Sequence, residues 1–261
     1  WASTFHSACV RILRRYGDRL GYTSHFTIYD TDDSKRVIKD CERRLGIDEK
    51  HLPVKSVLNE ISKAKDRLED PEAFLSDAAK SYDARRNEIA RVYSDYQKQL
   101  KEADAMDFDD IIVNTVRLLK QDAEVLDYYQ NRFRYIMVDE YQDTNHAQYV
   151  LVSLLAGAHH NLCVVGDDDQ SIYSFRGANI ENILNFEEQN ENALVIRLEE
   201  NYRSTQTILD AANAVIANNH ERKGKNLWTS NGRGDKIELH TCPTDTDEGV
   251  FVADTITELS G

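Results

Sequence analysis

The stretch Tyr135-Ile136-Met137-Val138-Asp139-Glu140-Tyr141-Gln142-Asp143-Thr144-Asn145 decides how the chain folds. Four apolar residues read as a short strand, and its tip delivers two adjacent carboxylates. Magnesium takes hard oxygen ligands, so one acid in that place can hold the ion while the next orients or deprotonates a water. A bare acidic pair there reads more readily as a solvated turn after an edge strand. The full string through Asn145 carries the functional reading.

Downstream, the pattern alternates. A helix is expected near Gln148–Leu155, a strand at Leu162–Val165 and a helix near Ile180–Phe186. A strand at Leu194–Leu198, a helix near Thr205–Asn218, a strand at Lys236–Leu239 and a helix near Glu248–Leu259 follow. Strands and helices at this spacing predict a parallel sheet with crossover helices, whose ligands sit at the carboxyl ends of the strands.

Upstream, the signals are helical. Ser3 or Thr4 can cap a helix with the apolar face Phe5, Ala8, Cys9, Ile12, Leu13 and Tyr16. Asp30 or Thr31 can cap a second, which Gly46 ends; Pro53 marks a break. Asp70-Pro71 reads as cap and first helical residue, opening one long helix to about residue 103 with Tyr82, Ile89, Val92, Tyr93, Tyr96 and Leu100 on its stripe. Asp107 caps a further helix through Ile111, Ile112, Val116 and Leu119. The stretch from about 30 to 106 is therefore expected to be an all-helical insertion.

Two further strand ends carry chemistry. After Val164-Val165 come Gly166-Asp167-Asp168-Asp169-Gln170-Ser171-Ile172-Tyr173-Ser174-Phe175-Arg176-Gly177-Ala178. Gly166 allows a sharp turn, and Gln170 suits reading a γ-phosphate or holding a water. Tyr173 and Phe175, with Arg176 beside them, offer faces for base stacking worth ~1–3 kcal/mol per base. Two loop aromatics tucked under a helix is the structural alternative. The third cluster, Leu198-Glu199-Glu200-Asn201-Tyr202-Arg203-Ser204, ends a strand, lets Ser204 cap the next helix and presents an arginine able to grip a phosphate. Alone, such an arginine is usually a surface ion pair.

Composition sets bounds. The net charge of −14 argues against a nucleic-acid binder as a whole, but residues 1–106 hold 20 basic and 19 acidic side chains while residues 107–261 hold 12 and 27. A local nucleic-acid track therefore survives in the first part. Cys9, Cys41, Cys163 and Cys242 are widely spaced, which points to reduced cytoplasmic thiols and away from a disulfide framework or zinc site. His159-His160 has no further ligand at metal-binding spacing. No apolar run is long enough to span a membrane. The start at Trp1, already inside a patterned segment, suggests a piece of a longer protein.

Together the clusters resemble the UvrD/PcrA/Rep group of superfamily 1 helicases. DEYQDTN resembles their motif II, GDDDQSIYSFRGA their motif III and LEENYRS their motif IV. Thr4-Phe5-His6-Ser7 resembles their DNA-contacting TFHS segment, and Asp107–Asp110 and Gly224–Trp228 fit the same order. The resemblance implies an α/β fold of RecA-like parallel sheets with crossover helices, of the P-loop NTPase type, plus an all-helical insertion subdomain. Residues 1–33 would belong to domain 1A, 34–107 to helical subdomain 1B, 108–200 to the rest of 1A and 201–261 to the start of 2A. It implies ATP and Mg²⁺ as cofactors, with Asp139 on the metal, Glu140 as catalytic base, Gln170 on the γ-phosphate and attacking water, Arg203 as arginine finger and Tyr202 stacked on adenine. Thr4, Phe5, His6, Tyr173, Phe175 and Arg176 would meet DNA. Phe175 stands where the family usually has Trp.

The implied activity is ATP-driven movement on single-stranded DNA and unwinding at single-strand/duplex junctions, 3′ to 5′, in repair or replication, by a cytoplasmic monomer. The alternatives are the helicase part of a RecB/AddA-like helicase-nuclease, or a non-catalytic DNA- or partner-binding module. No GxxxxGK[ST] loop occurs in the 261 residues, so they alone are expected neither to bind ATP tightly nor to unwind DNA.

Overall fold

The computed structural model describes residues 1–173, 177–190, 192–219 and 222–260. The chain divides into two compact units, Trp1–Ala193 and Leu194–Gly261.

Capping chemistry sets the helix starts of the first unit. Helix α1 (Phe5–Tyr16) begins where the Thr4 hydroxyl accepts the Ser7 amide. A 3₁₀ turn at Gly17–Leu20 and strand β1 (Thr27–Ile28) follow. Asp30 and Asp33 form a reciprocal capping box on α2 (Thr31–Leu45), and Gly46 closes it with φ of 69°. Helix α3 (Val54–Asp66) starts after Pro53, and α4 (Pro71–Lys80) under the Asp70 cap. The expected single helix from 71 to 103 is in fact two. Asp83 turns its carboxylate onto the amides of Arg85 and Arg86 and restarts the chain as α5 (Ala84–Glu102). Tyr82, expected on the apolar stripe, is fully exposed at the break. A hairpin lets α4 pack along α5 and bury Phe74 against Tyr93, which a continuous rod would leave wet.

Helices α2 to α5 share one apolar cluster, with Ile38, Val57, Ile61, Phe74, Tyr93 and Leu100 among its buried members. Strand β2 (Ala105–Met106) then returns to pair in parallel with β1, Thr27 beside Ala105 and Ile28 beside Met106. The helical stretch thus leaves and re-enters the fold at one two-stranded stitch.

Helix α6 (Phe108–Gln121) carries an Asp107/Asp110 capping box, and α7 (Ala123–Arg132) follows. α1, α6, α7 and the later α8 supply the second cluster, around Ile12, Leu13, Ile111, Leu119, Tyr129 and Leu151. Lys65, only 1% exposed, joins the two clusters. Its ammonium lies 2.6 Å from Asp107 Oδ2 and 2.8 Å from Asp110 Oδ1. Tyr96 donates to Asp107 and Gln97 to Asp110. Burial alone would discharge Lys65, but the two carboxylates hold its pKa well above the usual value.

Strand β3 (Ile136–Val138) leads through a 3₁₀ turn (Tyr141–Asp143) to α8 (His146–Ala156), and β4 (Leu162–Val164) pairs with β3 in parallel, Val138 beside Val164. A third 3₁₀ turn (Asp168–Gln170) precedes α9 (Glu181–Leu184) and α10 (Phe186–Gln189). The second unit holds α11 (Gln206–Ile216) and α12 (Asp245–Ser260).

Two of the four expected strands do not form ladders. Among the described residues, 194–198 and 236–239 are unpaired, and the second unit contains one isolated parallel bridge, Glu200 with Trp228. Leu194, Ile196, Leu198, Ile237 and Leu239 stand exposed. An apolar, alternating segment becomes a strand only when a neighbour supplies ladder hydrogen bonds. None of the described helices is long and apolar enough to cross a membrane.

Candidate active site

The site is built at the ends of β3 and β4. Val138, Tyr141 and Val152 form a small buried cluster beneath it, with Ile183 and Phe186 packed alongside. Asp139 and Glu140 emerge from β3 exposed to solvent. Glu140 has φ of +50°, in the left-handed region that costs a non-glycine residue ~1–3 kcal/mol. Its neighbours hold it there: the Tyr141 amide donates to Val165 O at 3.0 Å, and Val165 N to Val138 O at 2.8 Å.

Gln142, almost fully buried, joins the two strand ends. Its Nε2 donates to Glu140 Oε2 at 2.8 Å, and its Oε1 accepts the Asp167 amide at 3.0 Å. Asp167 Oδ2 in turn accepts from Gln170 Nε2 at 2.7 Å. Glu140, Gln142, Asp167 and Gln170 therefore form one hydrogen-bonded relay. Gly166 makes room for it. A Cβ there would lie 2.5 Å from Gln142 Oε1, 2.8 Å from Ile183 Cδ1 and 3.1 Å from the Tyr141 amide nitrogen.

The rest of the first strand-end cluster is bolted to its surroundings. Asn145 caps α8 and donates to Asp66 at the end of α3. Thr144 O accepts the Asn179 amide and the Asn182 side chain, both at 3.0 Å. A Cβ on Gly177, whose φ is +87°, would run into the same Asp66 carboxylate. Burial, and then Asp109, pushes the Asp66 carboxyl up to about 7.

Asp143 Oδ1 is buried without a hydrogen-bond partner, and burial, then Glu140, raises its pKa. An all-oxygen set of exposed and part-buried carboxylates at a strand end suits a hard divalent cation. Among the described residues, the three carboxylates whose ligand atoms gather within 4.8 Å are Asp167, Asp168 and Asp169; Asp139, the metal residue expected from the sequence, stands outside that group.

The expected DNA contacts fare differently from one another. Thr4 is exposed and serves as the α1 cap. Phe5 is half-buried and packs against the apolar clusters on both sides of it. His6 is half-buried with its ring 5.9 Å from Phe108, and burial holds its pKa below the ordinary value. Tyr173 is 38% exposed. Phe175 and Arg176 lie outside the described residues.

Tyr202 and Arg203 belong to the second unit. Tyr202 is well exposed, its hydroxyl 2.9 Å from Glu200 Oε2. Asn201 Oδ1 accepts the amides of Arg203 and Ser204 at 3.0 and 2.8 Å, so the arginine is presented by an Asx turn. The cap of α11 is Thr205, not Ser204. No side chain caps it, because the Gln206 and Thr207 amides reach Gly232 O and Arg233 O instead. Trp228 brings the 224–228 segment alongside: Asn201 N donates to Trp228 O at 2.7 Å and Trp228 N to Glu199 O at 3.1 Å.

From sequence, Gln142 and Asp66 had been assigned no role and Gly166 only a sharp turn. Gln142 and Gly166 lie within the quoted strings. Asp66 carries no local signal, since its partners lie 79 and 111 residues further along the chain.

Comparison with known proteins agrees with the order of these elements. Residues 1–191 match the UvrD/REP helicase N-terminal domain, and residues 196–261 the UvrD-like helicase C-terminal domain. The chain is 54% identical over 252 residues to the ATP-dependent DNA helicase PcrA of Staphylococcus aureus, covering 97% of this chain and 34% of the relative. It is 52% identical, with the same coverage, to PcrA of Staphylococcus epidermidis. The chain thus spans about a third of the length of these curated relatives.

Proposed function

The chain belongs to the UvrD/REP helicase family, and on that premise we propose that its protein couples ATP hydrolysis to movement along single-stranded DNA and to unwinding of duplex ahead of it. The observation that carries this reading is the relay Glu140–Gln142–Asp167–Gln170. It links the proposed catalytic base to the proposed γ-phosphate sensor through three hydrogen bonds and one buried glutamine.

In this reading Asp139 would hold Mg²⁺. The ion, when bound, neutralises charge on the phosphate oxygens. Glu140 takes the proton of the attacking water, and its fixed backbone aims the carboxylate. Gln170 orients that water against the γ-phosphate. Arg203, on the second unit, stabilises the developing charge, an effect worth ~10³–10⁵ in rate in related phosphoryl-transfer machines. Tyr202 stacks on the base of the nucleotide. Tyr173, Phe175 and Arg176 follow Gln170 within six residues of sequence, and in this reading they meet the DNA bases.

Within this proposal residues 1–33 and 108–200 are parts of the first motor domain, 34–107 its helical insertion and 201–261 the start of the second. DNA, including single-strand/duplex junctions, is the proposed partner, with a monomer in the cytoplasm as the working unit. The test is made on the protein with its complete ATP site. Glu140→Gln should abolish DNA-stimulated ATP hydrolysis while single-stranded DNA binding persists, and Gln170→Ala should behave the same way with a smaller loss. Full hydrolysis by Glu140→Gln would sink the assignment.

A further inference from the structure

Asp66 occupies a place where local physics disfavours an acid. It is the last residue of α3, at the end of a helix whose backbone dipole repels negative charge. Asp109 on α6 adds like charge, and the neighbouring Arg67 is paired with Glu69 at 3.0 Å. An acid held against a helix dipole and a second carboxylate costs stability. Conflicts of this kind gather at functional positions.

The contacts of Asp66 say which position this is. Asn145 Oδ1 accepts the Gln148 amide at 2.9 Å as the cap of α8, which turns Nδ2 toward α3, where Asp66 Oδ1 accepts it. Asp66 Oδ2 lies against Gly177, whose φ of +87° and missing Cβ leave room for the carboxylate. One residue on, Ala178 N donates to Tyr173 O at 3.4 Å, and after it Asn179 N to Thr144 O at 3.0 Å. A single carboxylate from the helical stretch therefore touches the end of the 139–145 string and the end of the 166–178 string.

We propose that Asp66 is a positioning residue of the ATP site, its carboxylate holding Asn145 and Gly177 in fixed relation and with them the two strings that carry Glu140 and Gln170. The inference rests on the motor reading and adds to it a residue from outside both strings. Asp66 touches no reactant; it acts through Asn145. Without its acceptor the nucleotide still binds, but base and phosphate sensor lose their mutual alignment, so the transition state suffers more than the ground state.

DNA-stimulated ATP hydrolysis by the protein with its complete ATP site tests this. Asp66→Ala should lower kcat about tenfold and leave KM for ATP within about twofold, as the loss of one aligning hydrogen bond does. Asp66→Asn keeps an acceptor oxygen toward Asn145 and should retain most of the parental kcat. Asn145→Ser keeps a good cap on α8 but has no amide to reach Asp66, so it should reproduce the Asp66→Ala loss. It reads the same contact should Asp66→Ala fail to fold. Because both changes break one contact, the double variant should be no worse than either single. Parental kcat in Asn145→Ser, losses that multiply in the double variant, or an Asp66→Asn protein as slow as Asp66→Ala would overturn the proposal. Glu140→Gln run alongside separates the two readings: if it still hydrolyses ATP the motor assignment fails, and if it is dead while Asn145→Ser is fully active only the role of Asp66 fails.

Discussion

Two groups of carboxylates in the first unit are handled in opposite ways. Asp107 and Asp110 are buried around Lys65, saturated with hydrogen bonds and packed between two apolar clusters. Asp139 and Glu140 stand in water on a strand end backed by three buried apolar residues, one of them on strained backbone. The first arrangement fixes geometry and has no room for a substrate. The second keeps its charges accessible and relies on Gln142 and Gly166 for position. Charge is neutralised internally at the buried group and left accessible at the proposed site.

That contrast can be broken most severely at Lys65. Lys65→Met strands two carboxylates in the interior and should cost about 3–5 kcal/mol in denaturant unfolding; a loss under 1 kcal/mol would show that the buried trio is no scaffold. Gly166→Ala is expected to cost ~1–3 kcal/mol, because the new methyl meets backbone at Tyr141 as well as the Gln142 side chain. Gln142→Ala should cost ~1–3 kcal/mol and speed hydrogen exchange of the Asp167 amide, which loses its acceptor. Unaltered exchange there would mean the two strand ends are not joined through this glutamine.

A gentler probe is pH. Asp66 sits on the border between the two regions with its carboxyl raised to about 7. The folded state therefore binds more protons than the unfolded chain from about pH 4 to 7, and by linkage this residue's contribution to stability falls as pH rises through that window. Asp66→Asn should flatten the slope, with the gap between variant and parent widening up to about pH 7 and constant above it. Parallel profiles would refute the assignment. The smallest effect belongs to the surface: Asp83→Ala removes a helix cap worth ~0.5–2 kcal/mol without touching either group of acids.

Much of this was legible in the residues. Caps at Thr4, Asp30, Asp70 and Asp107 and the terminator Gly46 are local signals, because the side chain and the amide it satisfies lie within four residues. The strings at 135–145 and 162–173 marked the candidate site, because a strand end that delivers acids and a glutamine is unusual in composition. The break at Ser81–Asp83 was legible in principle, since Asp83 is a good cap, but an unbroken apolar stripe masked it. The failed strands at 194–198 and 236–239 show the limit of pattern: alternation says which face would be buried, and pairing decides whether a strand exists at all.

By itself, then, the order of amino acids determined several helix caps, the two acidic strand ends and the family they resemble, since each depends on neighbours a few positions apart. Tertiary structure alone decided that Gln142 joins Glu140 to Asp167 and that Asp66 abuts Asn145 and Gly177. Gln142 reaches Asp167 across 25 positions and Asp66 meets Gly177 across 111. Their partners are chosen by how helices and strands pack, and no local pattern of residue types encodes that choice.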